Sequence, residues 1–155
     1  SGEWSILFNG FSYIQTEFIS THIMGYAEDK GWFWWNSYQG ETMNIPLEKR
    51  LRSFNPIYRI SEKALKFLDE FLKAQNCGHH EVLIPSSLFH SGFTITDFGG
   101  TGRFVQPGYE NRFYLSTDLF CEKYPGGTMR CFPQFHDIKS YHLSNKLFHP
   151  LKYSD

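Results

Sequence analysis

The stretch that decides the fold runs from Ser61 to Gly100: SEKALKFLDEFLKAQNCGHHEVLIPSSLFHSGFTITDFGG. Its first part predicts a helix. Ser61 is a good N-cap, because its hydroxyl can accept one of the N–H groups that a first helical turn leaves unpaired. Glu62 then sits at the positive end of the helix dipole. Apolar residues at Ala64, Leu65, Phe67, Leu68, Phe71 and Leu72 recur at helical spacing and define one face. Gly78 reads as the left-handed stop. A second helix is predicted over HEVLIPSSLFHSG, with Pro85 in its first turns, where a missing N–H costs least, and Gly92 at its end. FTITDFGGTGRF then alternates like a strand and runs into a glycine turn. Helix, helix and strand in this order predict an α/β fold.

Upstream, EWSILFNGF reads as a short apolar segment after a turn at Ser1–Gly2. TEFISTHIMGY has strand content in Phe18, Ile19, Ile23 and Met24, and Ile57, Tyr58 and Ile60 predict another short strand. Downstream, RFYLSTDLF and GGTMRCFPQF are two further strand candidates joined by YPGG, a β-hairpin. The expected architecture over residues 1–155 is one domain with a mixed sheet, two main helices and a hairpin.

Composition narrows the function. With 41% hydrophobic and 20% charged residues the chain matches neither a disordered nor a membrane composition. No apolar run approaches the ~18 residues of a spanning helix. A formal net charge of −1 supplies no general pull toward nucleic acid. Cys77, Cys121 and Cys131 are odd in number and form no C-x-x-C, which argues against a disulfide framework or zinc ribbon and for reduced cytosolic thiols.

The aromatic fraction, 19%, is the unusual figure, since rings either fill a core or stack on ligands. Trp32, Phe33, Trp34 and Trp35 stand together in a polar loop, AEDKGWFWWNSYQGE. Four consecutive rings cannot all face one core, so some are expected at a surface or groove. A ring face suits the C–H face of a sugar, and amides such as Asn36 and Gln39 suit its hydroxyls.

GHHE, residues 78–81, raises the question of metal or acid. A zinc protease helix needs H-E-x-x-H, which would place a histidine where Ile84 stands. The adjacent His79 and His80 point in different directions on a helix, a poor pair for joint ligation. What remains is Glu81 at a helix start, where the dipole stabilises an ionised carboxylate. Such a group either only complements the dipole or takes a proton from a hydroxyl. DFGGTG is neither G-x-G-x-x-G nor a P-loop, and reads as a tight turn. Asp97 shares only letters with the kinase D-F-G, because the catalytic-loop H-R-D is missing. Lys49, Arg50, Arg52 and Arg59 form either a phosphate cradle or a solvated face. His149, taken alone, is a surface or satisfied imidazole.

Together, WFWWNSY, SFNPIYRISEKALKFLDEF, GHHEVLIP, DFGGTGRF, GTMRCFPQF and NKLFHPLK resemble, in order, the C-terminal part of bacterial glycosyltransferase-like proteins with a GT-A (nucleotide-sugar) fold. The resemblance implies that residues 1–155 are the acceptor-side portion of a larger glycosyltransferase domain. It implies transfer of a sugar from a nucleotide-sugar donor to a carbohydrate acceptor hydroxyl. Glu81 then matches the base that deprotonates the acceptor. Trp32, Trp34, Trp35, Asn36 and His80 would line the acceptor groove. A divalent ion, Mn or Mg, is implied, with His149 matching the C-terminal histidine of its site. No D-x-D occurs in the chain, and the acidic metal motif of such enzymes would precede Ser1. A cytoplasmic location is implied, with peripheral association at the inner membrane face left open. The alternative is a non-catalytic carbohydrate-binding or interaction module.

Overall fold

The computed structural model describes residues 4–116, 127–131, 143 and 145–152. The chain divides into two compact units, one of Thr16–Asp97 with Gly102–Phe104, the other of Ser1–Gln15, Phe98–Thr101 and Val105–Asp155. Among the described residues are three α-helices and a three-stranded mixed sheet, an α/β arrangement.

The first unit holds the sheet, with β1 (Phe18–Gly25) central, β2 (Leu51–Ile60) antiparallel on one side and β3 (Ile95–Asp97) parallel on the other. β2 is longer than the sequence implies. Pro56 hides it, since proline belongs on an edge or at a bulge, and the ladder is indeed irregular between Thr21↔Phe54 and Ile19↔Arg59. β1 has its own irregularity at His22, whose φ of 50° is left-handed. The turned N–H of Ile23 goes to the Asp97 carboxylate at 2.9 Å. Asp97 is fully buried, so it serves the strand's geometry.

Helices α2 (Glu62–Lys73) and α3 (His80–His90) follow β2 and cover the sheet. The Ser61 hydroxyl caps α2 by accepting from Ala64 N at 3.1 Å. The buried stripe is Ala64, Leu68 and Phe71, positions i, i+4 and i+7. Leu65 and Leu72 are about half exposed, because each lies one residue, about 100°, beyond that stripe. The left-handed residue after α2 is Gln75, at φ 64°, and not Gly78. Gly78 answers another demand. It has φ 149°, and a Cβ there would sit 2.8 Å from the Ser37 carbonyl oxygen. Pro85 is the sixth residue of α3, where the sequence places it, and lies past the first turn, so its missing N–H does cost a helical bond. It gives no N–H to the Glu81 carbonyl and contributes buried apolar surface.

Ser86 joins α3 to the sheet edge. Its hydroxyl donates to the Leu51 carbonyl at 2.8 Å and accepts the Leu51 N–H at 2.9 Å, standing in for a missing neighbouring strand. Two apolar clusters result. Phe18, Ile23, Ala64, Leu68 and Leu88 form one. Trp32, Trp35, Tyr38, Ile45, Phe71, Val82 and Leu83 form the other.

The second unit opens with α1 (Trp4–Ser12), where the sequence reads only an apolar segment. Its buried Leu7 and Phe11 are one turn apart, and Phe11 meets Phe98, Phe113 and Tyr109 at centroid distances of 4.7, 5.2 and 5.7 Å. The glycine turn after β3 is tight as expected: a Cβ on Gly99 would strike the Tyr109 carbonyl, and one on Gly100 the Tyr114 ring. Of the anticipated hairpin, residues 117–126 and 132–135 lie outside the described residues. Its described part is not extended. Residues 112–116 form no strand, and Gly127–Met129 is a 3-10 turn. Gly127, at φ 59°, sits so close to the Leu115 carbonyl that an added Cβ would strike it.

Candidate functional site

The sequence-selected residues of the first unit converge on the start of α3. His79 is the N-cap, and its Nδ1 accepts the Glu81 N–H at 3.4 Å. The imidazole of His79 lies flat on the indole of Trp34, with centroids 4.5 Å apart and planes 6° apart. Trp32 meets it edge-on at 6.1 Å, and the exposed His80 ring flanks it at 4.6 Å. The Glu81 carboxylate comes within 3.9 Å of Nδ1, with its side chain only 13% exposed.

This shelf is held by a residue that sequence reasoning missed. The Ser37 hydroxyl donates to the Trp34 carbonyl at 2.7 Å and accepts the His79 N–H at 3.0 Å, so it ties the aromatic loop to the helix start. Forty-two positions separate Ser37 from His79, and no local pattern signals the pairing. Gln39 and Cys77 add a backbone bridge, with N–H···O distances of 2.8 and 2.9 Å.

The aromatic loop divides between core and surface. Trp32 and Trp35 are buried, at 5% and 2% exposure, whereas Trp34 is 40% exposed and Phe33 more so. Of the three indoles named for a groove, Trp34 is therefore the one whose ring reaches solvent. Asn36 is exposed beside it, in the 3-10 turn Trp35–Ser37. Asp29 anchors the buried pair through its carbonyl, which accepts Trp35 Nε1 at 2.7 Å and Trp32 N at 3.3 Å. Its carboxylate pairs with buried Arg52 at 2.8 Å, and Arg52 in turn lies over the Trp32 ring.

Of the basic cluster, Lys49 is exposed, whereas the three arginines are engaged within the fold. Arg50 donates to the carbonyls of Trp35 and Ile45 and covers the Tyr38 ring. Arg59 donates to the Thr16 carbonyl at 3.2 Å. Glu28 is also engaged locally, accepting the Gly25 N–H at 2.6 Å.

Charge follows from these surroundings. Burial lowers the His79 pKa below the usual imidazole value, and neighbouring His80 lowers it further. A neutral ring suits a nitrogen that accepts a backbone N–H.

His149 belongs to the second unit. Its N–H donates to Thr128 O at 2.8 Å and its carbonyl accepts Cys131 N at 3.3 Å. Burial also holds its pKa down, against an opposing hydrogen bond with the Met129 backbone. A neutral imidazole is the ligating form, but Mn and Mg sites are built mostly from oxygen donors. Among the described residues no group of three or more metal-ligating side chains forms. Cys77 is exposed and Cys131 buried, neither in a disulfide among the described residues, while Cys121 lies outside them. No helix among the described residues is long and apolar enough to cross a membrane.

Comparison with protein-family models, curated proteins and solved structures returned no match.

Proposed function

We propose that the chain is the acceptor-side portion of a GT-A-type glycosyltransferase, moving a sugar from a nucleotide-sugar donor to a carbohydrate hydroxyl. The observation that supports this reading is the position of Glu81. Its carboxylate stands in the first turn of α3, beside a stacked indole and imidazole that reach the surface. An aromatic rim orients a sugar, and an adjacent carboxylate accepts the proton of the attacking hydroxyl. The leaving nucleoside diphosphate needs compensating positive charge, and the resemblance assigns that to a divalent ion with His149 as one ligand. The reading places the enzyme in the cytoplasm, at or near the inner membrane face.

The test is transfer from a panel of nucleotide sugars to glycoside acceptors by the full-length protein with manganese. Nucleotide-dependent product that disappears with EDTA is expected. The exposed Phe33 and Trp34 also favour a second reading, a carbohydrate-binding module without chemistry. Sugar binding indifferent to both nucleotide and EDTA, with no product formed, would establish that reading instead.

A further inference from the structure

We infer that His79 is a sugar-binding residue whose Nε2–H donates to a carbohydrate hydroxyl at the rim of the Trp34–His79 stack, a role that rests on the glycosyltransferase reading.

The two ring nitrogens of His79 have different surroundings. Nδ1 has two potential partners, the Glu81 N–H at 3.4 Å and the Glu81 carboxylate at 3.9 Å. Only the first falls within hydrogen-bonding reach, and it requires Nδ1 to be an acceptor. The proton of a neutral imidazole must then reside on Nε2. The lowered pKa of His79 agrees, since a ring bound to a carboxylate as a cation would be shifted upward. The helix cap therefore fixes the tautomer, and the tautomer makes Nε2 a donor.

Stacking fixes the direction. With planes 6° apart at 4.5 Å, the face shared by His79 and Trp34 is closed to any ligand. The rims of both rings remain, and His79 keeps 24% of its side chain exposed. Ser37 holds the His79 backbone, and the ring itself is held by the Nδ1 bond to Glu81 N–H and by the stack on Trp34, both of which it would lose on swinging out. A fixed donor on a neutral ring suits an uncharged oxygen acceptor. A sugar hydroxyl meets that description, and a phosphate oxygen, better served by a cation, does not. The same hydroxyl-rich ligand has Glu81 as an acceptor close by. His79 is thus the donor half of a donor–acceptor pair, separate from proton removal.

Two measurements on the full chain test this. Long-range proton–nitrogen correlation spectra near neutral pH should show Nδ1 of His79 unprotonated and Nε2 protonated. The reverse tautomer overturns the inference irrespective of any activity. Titration with methyl glucoside, galactoside and mannoside, followed by tryptophan fluorescence, should then show binding that His79→Phe weakens about tenfold, the loss of one hydrogen bond. Phenylalanine retains a flat ring for Trp34, so stacking alone would leave affinity unchanged, and an unchanged affinity overturns the inference. His79→Asn preserves the cap and should lose sugar affinity too, separating the donor from helix stability. Uridine diphosphate bound through His79 in place of the glycosides would assign the donor to phosphate and overturn the sugar role. Wild-type protein that binds none of the glycosides removes the ligand role and the glycosyltransferase reading together. The tautomer spectrum distinguishes that outcome from a wrong ring geometry.

Discussion

At the scale of single residues, the site is assembled by groups whose importance lies in distant partners. Gly78 illustrates this. Its sequence position after a helix reads as a stop, yet the structure needs it because the Ser37–Tyr38 backbone passes directly against it. Gly78→Ala combines an unfavourable φ of 149° with a Cβ 2.8 Å from the Ser37 oxygen. The expected cost is about 1–3 kcal/mol in urea unfolding, typical of overpacking. Because Ser37 also holds His79, the same substitution should broaden or shift the His79 ring resonances. Glu81 was legible in the sequence as an acid at a helix start, and the aromatic loop as one that must divide between core and surface, though not which rings go where. Ser37 and the stacking role of His79 were not, since both arise from contacts between segments about 40 residues apart.

At the scale of elements, reading succeeded where short-range chemistry decides the outcome. The Ser61 cap, the start of α3 and the tight turn after β3 follow from local residue types. It fell short where tertiary packing overrides local preference. β2 carries Pro56 because its edge position and irregular ladder leave that residue's missing donor unneeded. The α3–β2 joint makes an element-level prediction. Ser86→Ala leaves both the N–H and the carbonyl of Leu51 without the hydroxyl that pairs them. A loss of about 2–3 kcal/mol is expected, since buried polar groups left unpaired are costly. Faster amide exchange at Leu51 would localise the damage to the sheet edge, and unchanged stability would show that the edge finds another partner.

At the scale of the whole molecule, the polar interior sets a pH dependence with a definite sign. His79 and His149 have folded pKa values below the ordinary 6.5, so protonation favours the unfolded chain. Stability is therefore full above about 6.5 and declines as pH falls through the window beneath it. Glu17 adds a second window at lower pH. Hydrogen bonds from the Thr94 hydroxyl and N–H hold its carboxylate below the usual 4.5. Its contribution is present above that value and is lost as pH falls through the lower folded pKa. Urea midpoints should thus decrease from about pH 7.5 to about pH 5, and His79→Asn should flatten part of that decline. A midpoint that rises on acidification would contradict the buried neutral imidazoles.

The central claim is chemical: the Glu81 carboxylate takes the proton of a sugar hydroxyl held at the Trp34–His79 shelf. Its most direct measurement is kcat and KM for sugar transfer by Glu81→Gln in the full-length protein, because glutamine retains the shape and cannot accept a proton. A fall in kcat of ~10²-fold with KM little changed is expected for a lost general base. An unchanged kcat would remove Glu81 from the reaction.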